Sequence, residues 1–517
     1  MVHSGPDTWL LPDSLPVEGL LAALAAEFGF DTAPEYEATV VYADTFDWRL
    51  YQQGYLLHCH GNCWTLYHDD SSEVTVQQGG PELHAACFAR DFPPGRLREL
   101  LAPVLGVRCL LPLAAVHLHG RQIRLLNRDE KTVARIVIET QEPVDGERRY
   151  RLVRLFGLRG YGNELETVRS ILAAAGVAEP VSPLVGFEEG CRAKGRSPLD
   201  YSPKFNLELN GGETAREAMA RIYQFLLETI SRNMPGVLAD YDPEFLHDLR
   251  VAIRRTRSGL SLVKRVLPAP VADRFGRVFG RLGALTGPTR DLDVYLLARE
   301  DCLGRLPPSL RPGLEDYFVG LSRNRQVEQK KLVRALRAKK NKAVLAAWQR
   351  ALKRSDRQPA DLAGLPVRDL AGRIILKRFK RVVRDGRVLD AVTPDAEVHR
   401  LRIQCKKLRY AMEFFGSLYP KQEMQGLIRH LKKLQDILGS FNDLSVQQEM
   451  LRQTLKSLPA GSRRNLDQAA ALGGLLQSLF REQQELRVHF TEAFAQFGDQ
   501  ETSELFHELF GKRQEPA

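Results

Sequence analysis

The chain has 517 residues, 44% hydrophobic and 27% charged, which excludes a disordered or fibrous protein and leaves room for two to four domains. The formal net charge of +10 is unevenly spread: residues 1–205 hold 20 Lys+Arg against 27 Asp+Glu, and the rest hold 54 against 37. The second part therefore suits an anionic partner (nucleic acid, phosphate or an anionic surface) or docking against the acidic part. No apolar run reaches the roughly 18 uncharged residues of a membrane helix, and no basic start precedes the first apolar stretch. Seven scattered cysteines, an odd number, form no disulfide framework, so a cytoplasmic location without membrane contact is expected.

Along the chain, aromatic and β-branched runs predict strands at TVVYADT (39–45), GYLLHCH (54–60), CWTLYHD (63–69) and RQIRLLN (121–127). Helical periodicity is confined to 16–26, 95–104 and 164–175, so residues 1–205 are predicted to form an α+β domain. His58, Cys59, His60, Cys63 and His68 invite a zinc reading. Strand alternation, however, turns His58 and His60 to one face and Cys59 to the other, and four convergent ligands would need a tight turn at Gly61-Asn62. Without a C-x-x-C pair, neither a metal site nor a cofactor is expected, and no phosphate loop, nucleophile elbow or H-E-x-x-H occurs. A Gly, Pro and Ser-rich stretch from GCRAKGRSPLDYSPKF to LNGGE predicts a linker ending near Gly212, and from Glu213 on nearly every segment has helical spacing.

The helical part, residues 206–517, repeats itself at an offset of 152. HDLRVAIRRTRSGLSLVKRVLP from His247 falls on HRLRIQCKKLRYAMEFFGSLYP from His399 without a gap. The register also places Arg221 on Arg373, Arg281 on Lys433, Gly287 on Gly439 and Asp291-Leu292 on Asp443-Leu444. Copies of about 213–350 and 365–500 are predicted to form two similar bundles of about four helices each, related by a pseudo-twofold axis. At about 100° per residue, His247, Arg250, Arg254, Arg257 and Lys264 form one basic stripe beside the apolar seam of Leu249, Ile253, Leu260, Val263 and Leu267. The second copy repeats it with His399, Arg402, Lys406 and Arg409, where Glu413 intrudes. The bland reading is a solvated charged face, with the histidines bonding a carbonyl at a helix start. Against it, a solvated face mixes signs, whereas the first stripe is purely basic and the second copy keeps its phase.

The pattern H-x-x-R-x-x-x-R/K-R/K-x-R, present twice and followed by G-x-x-R/N-D-L, resembles the CHAD domain over about residues 208–510. That resemblance implies two pseudo-symmetric helical bundles with a basic cavity between them that binds inorganic polyphosphate, and location at polyphosphate granules. It implies anion ligands at His247, Arg250, Arg254, Arg257, His399, Arg402, Lys406 and Arg409, with Arg221, Arg373, Arg281 and Lys433 as secondary candidates. Asp291 and Asp443 read as helix caps or ion-pair partners. Nucleic acid is disfavoured, because the first stripe offers no aromatic stacking platform.

VYADTFDWRLYQQGYLLHCH (41–60) resembles the Y-x-D-T stretch of CYTH domains, the triphosphate tunnel fold, and the likeness extends loosely through RQIRLLN, TVARIVIE and Glu164–Glu166. It implies an antiparallel barrel-like domain. The family's E-x-E-x-K strand is missing: the nearest imitation, Glu35-Tyr36-Glu37-Ala38-Thr39, ends in threonine, and His58 and His60 replace arginines. A barrel without catalytic residues is expected, the alternative being a metal-dependent triphosphatase or polyphosphatase. Arg121, Arg124, Arg135, Arg149 and Arg151 are further basic positions there, equally suited to plain surface charge.

Overall fold

The computed structural model describes residues 7–68, 74–84, 86–355, 360–389, 393–459 and 461–511, and divides into Met1–Pro203 and Lys204–Ala517. The first unit runs β1 (Asp7–Leu10), α1 (Val17–Ala25), β2 (Gly29–Thr32), β3 (Tyr36–Asp44), β4 (Tyr55–His60), β5 (Cys63–His68), β6 (Val74–Gly79), α2 (Arg96–Leu105), β7 (Leu111–Leu126), β8 (Thr132–Pro143), β9 (Tyr150–Gly157), α3 (Gly162–Ala174) and α4 (Val185–Ala193). Its strands form one antiparallel sheet in the order β1-β9-β8-β7-β3-β4-β5-β6, with β2 also on β7. α4 claims Gly190–Ala193, so the first residues expected to be linker are helical.

Strand alternation splits the sheet into two faces. One packs its apolar residues (Ile123, Ile136, Val153, Leu155) against α1 and α3, and further along (Leu57, Trp64, Leu66) against α2. On the other, Tyr67 of β5 and Arg154 of β9 lie within electrostatic range although their strands are five places apart. A flat sheet would separate those strands by about 24 Å at about 4.8 Å per strand, so the sheet curls and this face is concave. α4 seats on the concave face, where a Cβ on Gly186 would stand 2.8 Å from the Gln141 side chain and one on Gly190 2.9 Å from Ala114.

The second unit runs α5 (Ala215–Ala239), α6 (Pro243–Leu262), α7 (Ala269–Leu297), α8 (Arg299–Gly304), α9 (Arg311–Arg337), α10 (Lys339–Ser355), α11 (Val367–Gly386), α12 (Asp395–Phe415), α13 (Lys421–Ser457), α14 (Arg463–Phe497) and α15 (Gln500–Gly511). The starts of α5, α6, α7 and α9 recur 152 residues later in α11, α12, α13 and α14. Local signals set several of these starts. Thr214 and Glu217 close a capping box on α5, and Asp242 accepts from the backbone N–H of Glu244 and Phe245 at the start of α6, with Pro243 in the first turn. The axis itself is visible in the backbone: Ala215 N–H donates to Leu365 O at 2.7 Å, and its equivalent Val367 N–H donates to Glu213 O at 3.0 Å.

Each copy has more than the expected four helices, α8 and α10 being added in the first and α15 in the second, and the two bundles share a core. Tyr295, Leu314, Phe318 and Leu321 of the first share one apolar core with Leu444, Leu451, Leu472 and Leu479 of the second. α9 and α14 cross so closely that a Cβ on Gly313 would meet Asp467 O at 2.4 Å. A backbone oxygen cannot rotate away as a side chain can, so Gly313→Ala is expected to destabilise the helical unit by about 1–3 kcal/mol. Thermal unfolding checks this, with increased hydrogen exchange expected in both α9 and α14.

Candidate anion-binding site

α6 and α12, the two copies of the basic helix, touch each other. Arg254 Nε donates to the Tyr410 hydroxyl at 2.5 Å, and Arg255 Nη2 donates to Glu413 Oε2 at 2.8 Å. This contact brings cations of both copies together. Arg402 and Lys406 of α12 lie in the field of Arg254 of α6, and Arg250 lies in it as well. Burial holds the Arg250 and Arg402 guanidiniums below their usual range, with Arg254 pushing each further down. Lys406 falls to about 8, first through burial and then through Arg402, Arg254 and Arg409, with Asp443 acting against them.

Glycines let the arginines lie low. A Cβ on Gly283 would stand 3.4 Å from Arg257 Nη1, and one on Gly287 3.5 Å from Arg250 Nη1. Arg250 donates to Gly283 O at 3.1 Å and Thr286 Oγ1 at 3.0 Å, both neutral, so its hydrogen bonds fix its direction without cancelling its charge.

The other expected residues are placed less uniformly. Arg409 sits on the stripe, but its Nε donates to Glu413 Oε1 at 2.6 Å, so one carboxylate holds Arg255 and Arg409 together. Arg221 is tied to Glu213 and to Glu208 O, while its equivalent Arg373 is exposed on α11. Arg281 and Lys433 are exposed on α7 and α13. His399 Nδ1 bonds the Asn442 side chain, and His247 is half-buried beside Glu244 and Asp248. These three are the one group of metal-ligating types within 4.8 Å among the described residues; the second copy keeps the histidine but has Ala396 and Arg400 for the acids. Lys264 lies past the end of α6.

Asp291 and Asp443 are not caps, because both lie inside helices. Arg402 Nη2 pairs with Asp443 Oδ1 at 3.1 Å, and Asp291 faces Arg250 and Arg290. Burial raises the Asp291 carboxyl, the two arginines lower it, and Asp443 of the other copy raises it again. A cavity of about 510 Å3 opens beside this pair, lined by Asp291, Asp395, His399, Asn442, Ser445 and Glu449 among others. Of the expected basic ligands only His399 reaches that cavity, which is therefore not itself the basic one. Residues that sequence reasoning missed are Tyr410, Thr286 and Asn442. The repeat offered a signal, since Tyr410 replaces Ser258 and Asn442 replaces Arg290.

On the concave face of the first unit, Glu139 accepts from the Tyr36 hydroxyl at 2.6 Å and from Gln141 Nε2 at 2.8 Å, and pairs with Arg154. His58, brought down to about 4 chiefly by burial, shares a 3.1 Å bond with the Tyr67 hydroxyl. Asp44 caps the following turn, accepting from Thr45, Leu50 and Tyr51 N–H, and burial raises it to about 7 against those bonds. This donor set does not fit the divalent cation of triphosphate tunnel enzymes, because the carboxylate is already committed to three donors. Glu35 faces His119 and Arg121 instead, and Glu164 and Glu166 lie on α3. Arg124 pairs with Asp31, Arg151 donates to Pro12 and Leu15 carbonyls, and Arg135 and Arg149 are exposed. Cys59 is buried against α2 with Leu57 and Trp64, away from His58.

Residues 221–452 match the CHAD domain family, and the helical unit carries a CHAD domain. Among solved structures, the CHAD domain from the plant Ricinus communis is 24% identical, covering 56% of this chain and 95% of its own, with a TM-score of 0.47. PptA from Streptomyces chartreusis is 16% identical, covering 55% and 99%, with a TM-score of 0.44. No curated protein matches the chain.

Glu413 gives a test of the cluster. Glu413→Gln keeps the side chain's shape but strands Arg255 and Arg409. The expected loss of stability is below the roughly 3–5 kcal/mol of a fully buried pair, because solvent screens Arg409. In thermal melts, sulfate or phosphate is expected to restore more stability to the variant than it adds to the parent protein.

Proposed function

We propose that the helical unit binds inorganic polyphosphate, with Arg250, Arg254, Arg402 and Lys406 as the centre of the site and His247, Arg257, His399 and Arg409 around it, and that the protein associates with polyphosphate granules. The observation that carries this reading is the meeting of like charges from both copies at the α6–α12 contact. Such a cluster is unfavourable until an anion fills it. CHAD domains are associated with polyphosphate binding, in keeping with this reading. Symmetry favours the ligand too. An inorganic polyphosphate chain reads the same from either end, as a pseudo-twofold site does, whereas a single nucleic-acid strand has a direction.

Arg250→Ala and Arg402→Ala are each expected to weaken polyphosphate binding, by up to about 1.5–3 kcal/mol where the contact is dry. Titrations across salt concentrations are expected to show log affinity falling linearly with log salt, with a shallower slope in each variant. A salt-insensitive interaction contradicts the proposal.

Lys406 adds a pH dependence with a definite sign. Above pH 8 the free site holds Lys406 largely neutral, and a bound polyanion raises its pKa, so binding takes up a proton. Affinity is therefore expected to fall as pH rises from about 8 towards 10, and Lys406→Arg, which stays charged, to flatten that fall.

For the first unit, purified protein with Mg2+ or Mn2+ is expected to release no phosphate from tripolyphosphate at an enzymatic rate. Metal-dependent release abolished by Glu139→Gln reverses that reading.

A further inference from the structure

The first helices of the two copies differ in charge. α11 carries seven Lys+Arg against two Asp+Glu, whereas its equivalent α5 carries three against two. Lys377, Arg378, Lys380 and Arg381 of α11 stand where α5 has Phe225, Leu226, Glu228 and Thr229. Three of the four are exposed, and Arg378 is half-buried.

The difference continues on α12. Lys407 is the equivalent of Arg255, which Glu413 neutralises; the equivalent of Glu413 in the first copy is Ser261, so the repeat supplies Lys407 with no matching carboxylate. The charges acting on Lys407 are Arg378, Arg381 and Lys264, all positive, and burial together with these neighbours lowers its pKa. Arg378 is likewise lowered by burial and by Arg381. Among the described residues, the carboxylate paired with this group is Asp385, 3.5 Å from Arg381 Nε and 2.7 Å from Arg384. This cluster is distinct from the central one: Arg254, Arg402 and Arg409 act on Lys406 and not on Lys407. Tyr410, which touches α6, projects from α12 at a helical angle between them.

We propose that Arg378, Arg381 and Lys407 of the second copy, with the exposed lysines of α11 and with Lys264 from the first copy, form a second polyphosphate-binding face that has no counterpart across the axis and engages only chains long enough to occupy the central cluster as well. The proposal rests on the polyphosphate reading of the central site. Four cations from three chain segments, of which Arg381 pairs with Asp385, match a repeating anion better than a single phosphate. Tethering through the central cluster raises the local concentration of the same chain at α11, so the second face acts through avidity. A stacking ring, which a single nucleic-acid strand would use, is absent from these four positions.

The test uses the full chain and two probes, tripolyphosphate and long-chain polyphosphate. The triple variant R378Q/R381Q/K407Q is expected to lose roughly tenfold in long-chain affinity and to show a shallower salt slope, with tripolyphosphate binding unchanged. Circular dichroism and melting temperature establish that the variant folds, and the charge-keeping R378K/R381K is expected to retain most long-chain affinity. Equal losses for both probes, or no loss for the long chain, overturn the proposal. So does a variant that loses single-stranded DNA binding at equal phosphate concentration while keeping polyphosphate of both lengths. If the parent protein binds neither probe, the function proposed for the central site fails; if it binds both equally well, only the second face fails.

Discussion

Everything at the candidate site depends on holding like charges close together on two touching helices, with Arg250, Arg402 and Lys406 half-buried and Arg254 exposed. At an effective dielectric of about 20, two such charges 8 Å apart repel by about 2 kcal/mol, and Arg250, Arg254, Arg402 and Lys406 add several such terms. The fold offsets this elsewhere. Reciprocal backbone bonds join Glu213–Ala215 to Leu365–Val367, and the core that runs from Tyr295 to Leu479 belongs to both copies at once. Moving the two copies apart would therefore open a shared apolar interior, and the repulsion is borne by packing rather than relieved by movement.

The carboxylates near the site limit that repulsion without abolishing it. Glu413 holds Arg255 and Arg409, and Asp443 touches Arg402, while Arg250 hydrogen-bonds neutral acceptors. Asp443 also raises the cost of ionising Asp291 across the axis, so adding acids to quiet the arginines creates a second like-charge pair. The empty site is a compromise in which positive charge remains in excess, which is the state an anion stabilises.

Much of this was legible in the sequence. The gapless 152-residue offset fixes where four pairs of helices begin, because helix starts follow local residues such as Asp242 and Pro243. Strand alternation placed β3, β4 and β5 within a few residues but caught only the end of β7, 121–127 against Leu111–Leu126. Helical angle puts Arg250 and Arg254 on one side of α6 and Arg402 and Lys406 on one side of α12, since angle is a property of one helix. What it could not give was the partner across the interface. Tyr410 lies off the stripe by angle yet bonds Arg254, because that contact joins two helices more than 150 residues apart. The shared core was equally hidden, since periodicity says that a face is buried but not against which copy.

Several departures from the repeat alter charged and polar residues beside the site, while the helix starts are kept. Arg255 against Lys407, Ser261 against Glu413, Ser258 against Tyr410 and Arg290 against Asn442 all lie on or beside the basic helices, while the helix starts match. A duplicated site that stayed symmetric would present identical halves, and any charge change would alter both. Once the copies differ, α6 and α12 are free to divide the work: Glu413 neutralises one flank of their contact, and Lys407 leaves the equivalent flank of the other copy positive. The pseudo-twofold axis then survives as a property of the backbone, and the electrostatic field it carries no longer obeys it.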